Sequence, residues 1–112
     1  MPDMSFNRRR EPRVRIRTAV TVSGCSANGD LFTAHTKTLD VSPHGACVAL
    51  GVPMRVGTTV DYRNDDGSFS TRAAVRCLKR DPVTGLSVVG LEYLGDKPNP
   101  VISWASSATG KG

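Results

Sequence analysis

Val14-Arg15-Ile16-Arg17-Thr18-Ala19-Val20-Thr21-Val22 alternates without a break. Val14, Ile16, Thr18, Val20 and Val22 fall on one side of an extended chain; Arg13, Arg15, Arg17, Ala19 and Thr21 fall on the other. A period of two is that of a strand with one face buried and one in water. Working outward, Asn28-Gly29 within residues 23–30 marks a turn, because Asn-Gly accepts positive φ at little cost. A second, Thr-rich strand is expected over residues 31–39, an interruption at 40–45, and a short third strand over 46–50. A loop at 51–57 precedes a fourth strand at 58–63, and Asn64-Asp65-Asp66-Gly67 is a turn. Residues 69–79 and 86–94 then form a hairpin around residues 81–85. Short strands divided by Gly-rich turns describe a small antiparallel barrel or sandwich.

The flanks read differently. Residues 1–12 are polar and charged without periodicity, as in a flexible basic arm. Asn99-Pro100 is a helix start, with Pro at the first helical position. Val101, Trp104, Ala105 and Ala108 would share one face of that short helix, with Trp104 as a core anchor. Residues 13–108 then make one domain and residues 109–112 a disordered tail. A chain of 112 residues has room for one such core and not for two. With 38% hydrophobic but only 5% aromatic residues, that core must rest on Val, Leu, Ile and Ala.

Cys25, Cys47 and Cys77 are odd in number, widely spaced and without a C-x-x-C pair, a pattern of free thiols in a reducing compartment. No apolar run approaches the roughly 18 residues of a membrane span, and the N-terminus lacks the apolar stretch of a signal peptide. A cytoplasmic location is expected.

Charge locates the function. The net charge is +5, and residues 8–17 hold Arg8, Arg9, Arg10, Arg13, Arg15 and Arg17 against Glu11 alone. The remainder is nearly neutral, so the basicity belongs to a site. Guanidinium groups grip phosphate oxygens two at a time and stack on bases. Asp40-Val41-Ser42-Pro43-His44-Gly45 adds a carboxylate, a hydroxyl and a glycine backbone. As a turn, Asp40 and Ser42 would cap local amides and Gly45 would take positive φ. The two segments together suit a small anionic nucleotide better than catalysis. Asp40, Ser42 and His44 contain the ingredients of a hydrolase, but they lie along one short loop with no oxyanion hole or nucleophile elbow. His35 and His44 have no metal-ligand spacing to a cysteine. A rival reading is a basic β-barrel that binds single-stranded nucleic acid. Phe6, Phe32, Tyr62, Phe69, Tyr93 and Trp104 offer no clustered stacking pair for it.

Arg9-x-x-x-Arg13, followed one hairpin later by Asp40-x-Ser42-x-x-Gly45, resembles the PilZ domain, a bacterial receptor module for cyclic di-GMP. Ala74-Val75-Arg76-Cys77-Leu78 and Val88-Val89-Gly90-Leu91-Glu92-Tyr93-Leu94 resemble that family's closing hairpin, so the likeness covers residues 8–105. It implies a six-stranded antiparallel β-barrel with a short terminal helix, no catalytic activity, and a signal passed to a downstream protein. By the same resemblance Arg9 and Arg13 hold phosphates and guanine faces, Asp40 and Ser42 read guanine N1–H and the exocyclic amine, and Gly45 keeps the turn open. Guanine O6 and N7 are acceptors that suit arginine. A basic residue where Arg8 stands goes with an intercalated ligand dimer, and Arg10 offers an equivalent extra contact. Arg17 is expected to matter much less than Arg9 and Arg13, because it lies farther down the strand. A degenerate PilZ module serving only protein interaction would not need the intact arginines and Asp-x-Ser-x-x-Gly.

Overall fold

The computed structural model describes residues 13–101. The expected arm at 1–12, the body of the terminal helix with Trp104, and the tail lie outside the described residues. Six strands are present: β1 Ala19–Cys25, β2 Leu31–Ser42, β3 Gly45–Leu50, β4 Thr59–Asn64, β5 Ser70–Arg80 and β6 Ser87–Tyr93. They close into a barrel in the order β1-β2-β3-β6-β5-β4, with every neighbouring pair antiparallel. Tight connections join β1 to β2, β2 to β3, β4 to β5 and β5 to β6. Residues 51–58 carry the chain from β3 to β4, and β4 pairs with β1 to leave no open edge. Gly29 and Gly67 have φ of 87° and 83°, so both expected turns use glycine for left-handed backbone.

Alternation packs the interior. Val20, Val22, Val48, Val60, Val75, Val89 and Leu91 point inward and are shut off from solvent, together with Tyr62. Each such aliphatic side chain contributes about 1.5–3 kcal/mol on burial. The rings do cluster, contrary to the impression from their spacing. Phe69 and Tyr93 lie 5.0 Å apart, Tyr62 and Tyr93 5.0 Å, and Tyr62 and Phe69 6.3 Å. Tyr62 and Tyr93 are buried, so this cluster fills the barrel and presents no platform for a base. Burial holds both hydroxyls above the usual tyrosine range.

Three expectations need correction. Strand β1 begins at Ala19, well after Val14. Residues 13–18 still run beside β2, but a side chain interrupts the ladder. Thr38 Oγ1 donates to the Ile16 carbonyl at 2.6 Å and accepts from the Thr18 amide at 2.9 Å, occupying the place of a backbone partner. Only Val14 and Val41 form a regular bridge, exchanging both bonds at 2.9 Å. Next, the interruption expected at 40–45 shrinks to the two-residue turn Pro43-His44, so Asp40 and Ser42 belong to β2 and Gly45 to β3. Last, Gly45 is not among the positive-φ glycines. Its hydrogen is needed for space: a Cβ there would stand 2.6 Å from the Leu91 carbonyl oxygen.

His35 is accounted for structurally. Thr21 Oγ1 donates to Asp65 Oδ1 at 2.6 Å and meets His35 Nδ1 at 3.0 Å, tying β1 and β2 to the turn after β4. Since the threonine proton is committed to Asp65, His35 Nδ1 must be the donor of the second bond. No helix among the described residues is long and apolar enough to cross a membrane.

Candidate functional site

A bulge sets the site. Thr38 lies opposite Val48, and Asp40 opposite Cys47, so Leu39 is an extra residue in β2. Thr38 and Val41 are both fully buried although they are three residues apart. Regular alternation would have turned one of them outward. The bulge instead leaves Leu39 and Asp40, two consecutive side chains, half-buried at the outer surface.

Asp40 meets Arg13 there, with Nη2 of the guanidinium 3.5 Å from Oδ1. The Val14–Val41 bridge explains the meeting, because it fixes the residues next to both partners. A pair this open contributes only about 0–1 kcal/mol to stability. Asp40 Oδ1 is nevertheless cut off from water and accepts no hydrogen bond among the described residues. A carboxylate oxygen left in that state is a strong acceptor without a donor.

Arg15, Arg17, Leu39, Asp40 and Cys47 line a depression of about 500 Å³ beside this pair. The ladder extends its floor laterally: Asp40 is opposite Cys47, and Cys47 and Cys77 flank Gly90 on either side. That row of small side chains keeps the barrel surface low next to the carboxylate. Burial, and secondarily the charge of Asp40, push the Cys47 thiol up to about 11, so it is a neutral, weakly polar surface at physiological pH. Cys25, Cys47 and Cys77 are all unpaired thiols.

Ser42 and Gly45 face each other across the Pro43-His44 turn. Ser42 is buried, and its hydroxyl donates to the Gly45 carbonyl at 3.4 Å. The turn is held from behind as well. The Asn99 amide donates to the Pro43 carbonyl at 2.9 Å, and the Tyr93 amide to the His44 carbonyl at 2.9 Å. Asn99 is itself fully buried, receiving Asn64 Nδ2 at 2.9 Å and donating to the Tyr93 hydroxyl at 3.0 Å.

The structure thus brings Arg13 and Asp40 together and places Ser42 and Gly45 at the turn end of the same hairpin. Arg8, Arg9 and Arg10 lie outside the described residues. Arg15 and Arg17, left out of the site by the sequence reading, line it. So do Leu39 and Cys47, for which the sequence carried no signal, since a bulge leaves none in the apolar pattern. Asn99 was legible only as the residue before a proline. No group of three or more metal-ligating side chains occurs among the described residues.

Known proteins agree with this architecture. The Bacillus subtilis inhibitor of motility MotI/DgrA is similar in structure, with a TM-score of 0.60 and 21% identity over 80% of this chain. The chain spans 44% of that protein, and at this identity the likeness is one of fold. A search of curated proteins returns no match. A family model for the PilZ domain matches residues 7–100, from ahead of the arginine cluster to just beyond Asn99, and the chain belongs to the PilZ domain family.

Proposed function

We propose that this chain is a non-enzymatic receptor for cyclic di-GMP that passes its ligand state to a partner protein. One observation carries the reading. A buried, donorless carboxylate oxygen of Asp40 stands 3.5 Å from the Arg13 guanidinium, at the wall of an open depression. Guanine supplies the missing donors on its N1–H and exocyclic amine, while its O6, N7 and the linked phosphates suit arginine. Adenine lacks the N1–H, so the same carboxylate discriminates between purines. Ser42 supports the hairpin from within and keeps Asp40 in register. Arg9 completes the R-x-x-x-R pair with Arg13. Arg8 and Arg10 add the cations needed if the ligand is an intercalated dimer with four phosphodiester charges. Ordering of the basic segment over the ligand then alters the surface offered to the partner. The free thiols support action in the cytoplasm.

Titration of Asp40→Ala with cyclic di-GMP and cyclic di-AMP tests the base-reading role. Hydrogen bonds to charged groups are worth about 1.5–3 kcal/mol, so affinity for cyclic di-GMP should fall about tenfold to a hundredfold. Binding of cyclic di-AMP, weak from the start, should change little. Equal losses for both dinucleotides would remove Asp40 from base recognition.

A further inference from the structure

We infer that Arg15 and Arg17 form a second wall of the ligand site, holding one phosphodiester and stacking on one guanine above the floor of Leu39 and Cys47. The inference rests on the receptor reading above and extends the ligand's footprint along the chain past Arg13.

Both arginines border the same depression as Asp40. Alternate residues of an extended chain share a side and stand about 6–7 Å apart, so Arg13, Arg15 and Arg17 make a cationic row starting at the carboxylate. An ordinary solvated stripe would have the same spacing. What distinguishes this one is the backbone beneath it. Thr38 Oγ1 holds the Ile16 carbonyl and the Thr18 amide, the groups on either side of Arg17. The two backbone hydrogen bonds between Val14 and Val41 pin the residue between Arg13 and Arg15. Both guanidinium groups therefore extend from a fixed base, which lowers the ordering cost of gripping a ligand.

The charge balance points the same way. Among the described residues the depression holds two guanidinium groups and one carboxylate, and that carboxylate already faces Arg13. Neither Arg15 nor Arg17 has a carboxylate partner among the described residues. An anionic ligand corrects this excess. Leu39, thrown outward by the bulge, and the neutral Cys47 offer an apolar patch for the flat face of a base, with arginine able to cover its other face.

The test is calorimetric titration of cyclic di-GMP into wild-type protein, Arg15→Ala, Arg17→Ala and the double variant, with thermal unfolding of each. Each single change should weaken binding about tenfold and the pair about a hundredfold, following the usual value of a charge-assisted bond. The unfolding midpoints should stay put, because both side chains are exposed. A second readout is alkylation by N-ethylmaleimide followed by mass spectrometry. Cyclic di-GMP should shield Cys47 in the wild type and fail to do so, at the same concentration, in the double variant; exposed Cys25 serves as reference. If the double variant binds as the wild type does while Arg13→Ala loses affinity, the inference falls and the receptor reading stands. A wild-type protein that binds no cyclic di-GMP brings down both.

Discussion

Gly45 governs how closely β3 can lie against β6 beside the site. A methyl group there would stand 2.6 Å from the Leu91 carbonyl oxygen, and that oxygen belongs to backbone and cannot swing aside. Gly45→Ala should therefore push the two strands apart and cost about 1–3 kcal/mol, the range for overpacking a tight interior, read as a lower denaturant midpoint. A variant as stable as the wild type would show that close approach is not what the glycine is for. The residue was legible in the sequence as the end of Asp-x-Ser-x-x-Gly, but its reason was not. A turn glycine suggests positive φ, whereas here the constraint comes from Leu91, distant in sequence and invisible until the barrel closes. Arg13 and Asp40 were legible as members of one site because each stands in a motif of the family the chain resembles; their direct contact was not. Arg15, Leu39 and Cys47 were not, since their inclusion follows from the bulge.

At the scale of elements, Thr38 decides what residues 13–18 become. Perfect alternation promised a strand from Val14, yet the buried Thr38 hydroxyl takes the Ile16 carbonyl and the Thr18 amide, while the Thr18 carbonyl keeps the Thr38 amide. Thr38→Val keeps the shape and removes both bonds, leaving the half-buried Thr18 amide and Ile16 carbonyl without these partners. The expected loss is about 1–3 kcal/mol per unsatisfied group. Amide exchange should accelerate at Thr18 and Val14 more than in β4 and β5, whose ladders run to β1, to β6 and to each other. Uniform acceleration across the barrel would mean that Thr38 serves general stability and not the placement of the arginines. Apart from the start of β1, the strands themselves were read from the sequence to within a few residues, because alternation and Gly-rich turns are local signals. Their junctions were not. Thr38 and Asn99 act through partners 20 and 35 residues away.

For the whole molecule, closure has a functional consequence. The Pro43-His44 turn, the segment at 13–18 and the stretch around Asn99 are brought to one region, with Asn99 bonded to both the turn and β4. Among the described residues, Arg13, Arg15 and Arg17 enter this region, where Asp40 Oδ1 is buried without a hydrogen-bond donor. The most direct measurement is calorimetric titration of the full chain with cyclic di-GMP. Saturable binding with two ligand molecules per protomer is expected, lost or strongly weakened in Arg13→Ala, with a clear preference over cyclic di-AMP. Saturation at one ligand would refute the dimer and leave the receptor standing. The absence of saturable binding, or equal affinity for the two dinucleotides, would show that the chain is not a cyclic di-GMP receptor.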